Sequence, residues 1–325
     1  MTHRIAQYLF IIAVLLTLNF FLPRMMPGDP ISLILGDPSA DAPILLTEEM
    51  RQNLLAYYGL DQPLGRQYTS YLRNLLRGEL GWSISYNAPV GAVLLGRLKW
   101  SLLLGGSAAA IAIPLAIALG TLAAWRQESA ADLGILGTIF FLGSWPAYFL
   151  GMLLIVGLSL RLGLFPIGGA ESATAAQAGG VERLLDIAHH WVLPCLTLVL
   201  SNLPGITLLV RNTTRALVEA DFVRTAKAKG VRPWRILAHH VLPNAMLPLI
   251  TVIAMRLGFL IAGTVTVEVV FAYPGMGTLI TAACTSRDYP LLQGIFLLMM
   301  AVILGFNLLA DVLYAQLDPR VRRSL

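Results

Sequence analysis

The chain has 325 residues, of which 57% are hydrophobic and 13% charged, with a mean hydropathy of +0.72. A soluble domain is roughly a quarter charged and needs more polar surface to cover its core. The composition excludes a plain cytosolic enzyme, a disordered regulator and a secreted disulfide scaffold, and points to a polytopic membrane protein.

The first apolar run, Ile5 to Leu22, ends in PRMMPGDP rather than in a small-residue cleavage site, so it is expected to be a retained helix that also directs insertion. Five more runs reach the length of about 20 residues that a bilayer core needs: Trp100 to Ala124, Leu133 to Leu160, Trp191 to Val210, Leu247 to Phe271, and Leu291 to Tyr314. The third carries Trp145-Pro146 near its middle, where the missing backbone donor predicts a kink. Between the first two runs, Thr47 and the acidic residues after it mark a helix start, Gly59 its stop, and a second short helix is predicted over Leu64 to Leu76. Segment 161–190 is Gly/Ala-rich and is expected to be irregular.

Lys and Arg decide the orientation. Seven of the 23 basic residues lie in one segment, 211–246. Arg4, Arg126, Arg320, Arg322 and Arg323 fall on the same side, so both termini are expected in the cytoplasm. Acidic residues lean outward, with Asp29, Asp37, Asp41, Glu48, Glu49, Asp61 and Glu79 all between the first two spans. The net charge of +5 therefore reports orientation, and no nucleic-acid partner is expected. The predicted fold is all-α: six transmembrane helices, both termini cytoplasmic, and a small helical extracytoplasmic subdomain between spans one and two.

Segment 211–246 is structured. LVEADFVRTAKAKG reads as a helix stopped by Gly230, and VRPWRILAHHVLP as a second one, with Pro233 in its first turn and Ile236, Leu237, His240 and Val241 at helical spacing. Phe222 and Trp234 are available as apolar anchors on a basic face. A plain positive-inside loop on anionic lipid has the same charge.

At this stretch the sequence resembles the permease subunits of binding-protein-dependent ABC importers, in the dipeptide, oligopeptide and nickel class. The family's cytoplasmic pattern is EAA-x3-G-x9-I-x-LP. With Gly230 as anchor, Arg224, Thr225 and Ala226 take the EAA positions, His240 the I position, and Leu242-Pro243 the LP. Arg224 departs from the general pattern, but RTAKAKG matches the peptide branch, which characteristically reads RTA-x-AKG. MPGDP at 26–30, YGLDQPLGRQYTSYL, GELGWSIS, LFPIGG at 164–169, VEVVFAYPGMGTLI, SRDYPLLQG and NLLADVLYAQLDPRVR also resemble family segments, in order.

The resemblance implies three regions: a first transmembrane helix at 1–22, an outer subdomain at 23–99, and a transport core at 100–325 that carries the coupling segment 211–246. Arg224, Thr225, Ala226, Lys227, Gly230, Pro233, Trp234, His240, Leu242 and Pro243 would couple to an ATPase. The implied partners are a second permease subunit, two ABC ATPase subunits and an extracytoplasmic substrate-binding protein, in the lipid of a bacterial or archaeal cytoplasmic (inner) membrane.

No G-x4-GK-[ST] is present, and none of the three lysines (Lys99, Lys227, Lys229) follows a glycine. The chain is therefore expected to bind no cofactor and to have no catalytic residue, with ATP and Mg held by the partner ATPases. No HExxH, H-x-x-E-H or G-x-S-x-G supports an intramembrane hydrolase. Cys195 and Cys284 make neither a disulfide framework nor a metal site. Of the histidines, His189 and His190 are read as interfacial polar groups, with contact to a metal substrate as the alternative. Intramembrane polar residues are functional suspects. Arg256, Glu268, Trp145 and Pro146 are candidates to line the translocation path, packing against a second subunit being the other reading of Arg256 and Glu268. Asn307 and Asp311 lie in the last span. The expected function is ATP-driven import of peptides or a related small solute, possibly nickel or a metal chelate, by alternating access. The competing reading is a secondary transporter or channel driven by an ion gradient.

Overall fold

The computed structural model describes residues 2–25, 52 and 61–317. The helix predicted from Thr47 to Gly59, and the side chains of Arg256 and Asp311, lie outside the described residues. The helices are α1 (Thr2–Arg24), α2 (Leu64–Leu76), α3 (Val90–Trp125), α4 (Ala130–Gly143), α5 (Ala147–Leu154), α6 (Ala173–Ala178), α7 (Gly180–Val218), α8 (Asp221–Ala228), α9 (Pro233–Ile236), α10 (Leu242–Val270), α11 (Met276–Thr285) and α12 (Tyr289–Leu317). A two-residue antiparallel ladder pairs β1 (Trp82–Ser83) with β2 (Ala88–Pro89), Trp82 opposite Pro89.

All six predicted apolar runs fall on helices. Among the described residues, Val90–Trp125, Gly180–Val218 and Tyr289–Leu309 are each long and apolar enough to cross a bilayer, and α4 with the stretch Ala147–Arg161 would make a fourth crossing if the two act as one span. The chain is thus a mostly helical, multi-pass membrane protein. The kink expected at Trp145-Pro146 is a full break: the two helices meet at 96°. Pro146 is extended, with φ −60° and ψ 147°, and caps α5. Beyond α5 the backbone widens into a π-helical turn, Ile155–Arg161.

Segment 161–190 is not irregular throughout. It contains α6, and α7 begins at Gly180, well before the apolar run that starts at Trp191. The stretch VERLLDIAHHW sustains a helix although it is too polar to belong to a span. Its polar groups anchor the preceding loop. Arg183 makes a bidentate pair with Glu171 at 2.6 and 3.0 Å, and the Ser172 backbone N–H donates to Asp186 at 2.6 Å. That N–H holds the Asp186 carboxyl below the usual carboxylate range.

The described residues divide into two compact units, Met1–Lys99 with Thr278–Ala301, and Trp100–Gly277 with Val302–Leu325. In the first, Phe20 is fully buried against the rings of Phe21, Tyr68 and Tyr71, and the Asn19 amide donates to Tyr71 and to the Gln293 carbonyl. Burial raises the Tyr71 phenol above its ordinary value. Asp288, fully buried, accepts from the Ser83 hydroxyl, the Ser85 N–H and the Leu291 N–H. It thus ties the β1–β2 turn to the start of α12.

In the second unit α3 offers a run of small buried residues, Ala108, Ala112, Ala116, Ala123 and Ala124. Small residues let helix backbones approach closely where lipid gives no hydrophobic drive. Gly120 marks the tightest point on this face: a Cβ there would lie 2.6 Å from the Thr207 carbonyl oxygen and 2.8 Å from the Val210 Cβ of α7. Gly120→Ala is expected to lower stability by about 1–3 kcal/mol through overpacking. Gly134→Ala, with open space around the new methyl, is expected to match or exceed the wild type. Thermal midpoints of the detergent-solubilised chain check both, and a Gly120→Ala variant as stable as wild type would refute the tight crossing.

Candidate functional site

The segment singled out in the sequence is shorter than 211–246, because α7 runs on to Val218. The predicted single helix over LVEADFVRTAKAKG is interrupted: Glu219 and Ala220 separate α7 from α8, Ala220 being extended at ψ 151°. The chain therefore turns once before Gly230, a turn that helix propensity alone does not reveal, since neither residue is a strong breaker.

Gly230 closes α8 in the left-handed conformation, φ +71°. The Gly230 N–H donates to the Lys227 carbonyl and the Val231 N–H to the Ala226 carbonyl, the paired bonds of a Schellman motif. Arg232, which precedes a proline, is extended at ψ 136°, and Pro233 opens α9 at its first position. The predicted second helix does not continue regularly. After one turn it widens into π geometry over Leu237–Val241, where the Leu242 N–H donates to Leu237, five residues back, and it then runs on into α10. Pro243 has no N–H to give the His239 carbonyl, so an ordinary α turn could not be completed there.

Val223, Ala226, Ile236 and Val241 are buried together beneath the two short helices. Trp125, Leu217, Val218, Val231 and Leu237 pack around them. The pair is thus seated on the ends of α3 and α7. The opposite face is open. Trp234 is 56% exposed and Phe222 40%, and Arg224, Thr225, Lys227, Lys229, Arg232, Arg235, His239 and His240 are exposed around them. The Arg235 guanidinium lies 5.4 Å from the Trp234 ring, and His239 meets that ring edge-on at 6.3 Å. Lys227 stands 5.8 Å from the Trp125 ring.

Of the residues predicted to act here, Arg224, Thr225, Lys227, Gly230, Pro233, Trp234, His240 and Pro243 are exposed, Ala226 is buried beneath them and Leu242 is half-buried. Two large apolar rings held in water by a rigid scaffold are what a partner's pocket can take up. The basic rim would steer an acidic one.

A pair the sequence did not single out lies just behind this surface. Arg211, on α7, donates through Nε and Nη2 to the two oxygens of Asp132, on α4, both at 2.7 Å. Arg211 is 8% exposed and Asp132 2%. Burial of a charge demands a partner, so a lone acid at the start of a span, on the side rich in arginine, was the available signal.

Of the residues named for the translocation path, Arg256 and Glu268 fall on α10, and Trp145 and Pro146 at the α4–α5 break. Glu268 is fully buried. Its Oε1 accepts from Ser101 at 2.6 Å and its Oε2 from the Gly277 N–H at 2.6 Å, while Ser101 accepts from the Met276 N–H at 2.7 Å. The carboxylate is thus engaged with the first residues of α11. Trp145 stacks on Phe149 at 4.8 Å beside the α4–α5 break, half-buried, and Pro146 is exposed. Arg256 lies on α10. His189 and His190 each have a ring nitrogen on a backbone carbonyl, that of Leu164 at 2.8 Å and of Asp186 at 2.9 Å. Among the described residues no three His, Cys, Asp or Glu come together as a metal site.

Residues 116–323 match the family described as "Binding-protein-dependent transport system inner membrane component". The chain is 34% identical over 305 residues to the oligopeptide transport system permease protein AppB of Bacillus subtilis (strain 168), covering 94% of this chain and 93% of that protein. It is 34% identical to the dipeptide transport system permease protein DppB of Escherichia coli (strain K12), covering 94% of each. It is 37% identical to the glutathione transport system permease protein GsiC of Escherichia coli O6:H1, covering 97% of this chain and 94% of that protein. Among solved structures, a chain of the MetNI methionine ABC transporter in an inward-facing form superposes with a TM-score of 0.55 at 14% identity, over 70% of this chain and 96% of that one. That likeness concerns the fold, whereas the sequence matches run nearly end to end. With its apolar helices and its helix–glycine–helix segment, the chain belongs to the family of binding-protein-dependent transport system inner membrane components.

Proposed function

We propose that the chain is the membrane-spanning subunit of an ATP-driven importer of peptides, with six spans and both termini in the cytoplasm. It would pair with a second permease subunit, two ATPase subunits that bind ATP and Mg, and an extracytoplasmic substrate-binding protein. The observation that carries this reading is the α8–α9 pair: a rigid surface, seated on the ends of α3 and α7, that exposes Trp234 and Phe222 within a basic rim. ATP-driven closure of the ATPases would displace this surface, and with it the attached helices, so that the site opens outward. Hydrolysis would reset it. Peptide is favoured as cargo because the relatives' names are those of oligopeptide, dipeptide and glutathione permeases. Nickel or a metal chelate is the alternative cargo.

Uptake in proteoliposomes holding the whole complex tests the reading. An ATPase-dead partner is expected to abolish uptake, whereas uptake by this chain alone, driven by an ion gradient, would make it a secondary transporter. Trp234→Ala is expected to weaken ATPase binding by at least about 2 kcal/mol, or roughly thirtyfold, as for a central aromatic anchor. Titration of the purified ATPase onto the solubilised variant measures it, and unchanged affinity would remove Trp234 from the interface.

A further inference from the structure

Arg211 and Asp132 are separated by 79 positions and joined by two parallel 2.7 Å hydrogen bonds in a site closed to solvent. The carboxylate does more than neutralise the arginine. Its Oδ2 also accepts from the Glu128 N–H at 3.0 Å, and Glu128 holds a left-handed φ of +63°, unfavourable for a side chain that is not glycine. Ser129 caps α4 through the Asp132 N–H at 3.3 Å. The turn between α3 and α4 is therefore fastened at both ends. Trp125, at its beginning, packs into the cluster beneath α8 and α9. Asp132, at its end, is fastened to α7, which also reaches that cluster through Leu217 and Val218.

A buried ion pair seldom adds stability over apolar residues of the same volume. Elsewhere in this unit α3, α7 and α10 pack through aliphatic and aromatic clusters, so holding α4 against α7 does not by itself call for charge. What the planar guanidinium fork adds is orientation, since two parallel bonds to one carboxylate tolerate little sliding or rotation.

We propose that the Asp132–Arg211 pair is a positioning element that makes α4, and the 96° bend that follows it, move with α7 when the coupling helices are displaced. This rests on the importer reading above. α7 is tied to the coupling surface directly. Among the described residues, the other ties of α4 to it run through the end of α3 and through apolar contacts, which can slip.

The test uses the complete complex in proteoliposomes, with three readouts: ATPase copurified per permease, ATP hydrolysed, and substrate taken up per ATP. Arg211→Lys keeps the charge but loses the fork. It is expected to assemble and hydrolyse ATP while uptake per ATP falls about tenfold, within the range for residues that modulate coupling without touching a ligand. The double variant Asp132→Leu with Arg211→Met restores apolar packing and avoids an orphaned charge. It is expected to assemble with wild-type thermal stability or better and to be equally uncoupled. Wild-type uptake per ATP in either variant would overturn the proposal and reduce the pair to packing. Absence of ATP-dependent uptake in the wild-type complex would instead overturn the importer reading.

Discussion

Gly230→Val is expected to leave membrane insertion intact and to lower substrate uptake per ATP hydrolysed by about tenfold. The cause is conformational rather than steric. Nothing lies within 4 Å of where a Cβ would stand, so the new side chain has room. What it lacks is access to φ +71°, the value that lets the Gly230 and Val231 N–H groups turn back onto Lys227 and Ala226. A β-branched residue pays about 1–2 kcal/mol or more in that region, and 1.4 kcal/mol is roughly a tenfold change in population. The strain can be relieved by opening the Schellman turn, which would let α8 and α9 shift relative to one another over their shared cluster. Gly230→Asn supplies the control, because asparagine tolerates the left-handed region better than other side chains. Its uptake per ATP is expected to lie much closer to wild type. Equal uncoupling by valine and asparagine would trace the effect to the added side chain and not to the turn.

Gly230 could be found in the sequence because the rule that demands it is local. A helix ending in a left-handed residue is written in a few consecutive positions, as is α2, whose predicted limits, Leu64 and Leu76, are those observed. Proline is equally local, so the break near Trp145-Pro146 was legible, while its 96° angle was not. That angle depends on packing: a Cβ on Gly143 would lie 3.3 Å from Pro204 of α7. The start of α7 at Gly180 is not legible in the sequence, because VERLLDIAHHW is too polar for a span and its helix is supported by Asp186 and Arg183 bonding back to the loop. The π turn before Leu242 was hidden because its residues repeat at helical spacing. Only the missing N–H of Pro243 hinted at it. Asp132 and Arg211 are separately visible in the sequence, the first as an isolated acid and the second as the first cation of the basic segment 211–246. Neither charge scale nor periodicity pairs residues 79 positions apart.

Glu268 poses the sharpest choice between a path residue and a structural one, and its expected mutant behaviour separates them. In the structure the carboxylate receives the Ser101 hydroxyl and the Gly277 N–H, and Ser101 in turn receives the Met276 N–H. The approach is close: a Cβ on Gly277 would lie 2.5 Å from the Val265 Cα. Glu268→Ala leaves at least two buried donors without their acceptor. Each is expected to cost about 1–3 kcal/mol, more where the lost acceptor was charged, so a loss of about 3–5 kcal/mol in stability is expected, with the start of α11 released from the end of α10. The measurements are the abundance of the chain in membranes and its thermal midpoint in detergent, each beside uptake. If Glu268 instead touches cargo during transport, Glu268→Ala will insert and melt like wild type while the preference among peptides of different charge changes. Ser101→Ala discriminates further. It removes one donor to Glu268 and the acceptor for Met276, without altering the charge of any path. A drop in stability of the same sign, at unchanged substrate preference, is the result expected of a residue whose work is to hold the turn after α10 closed.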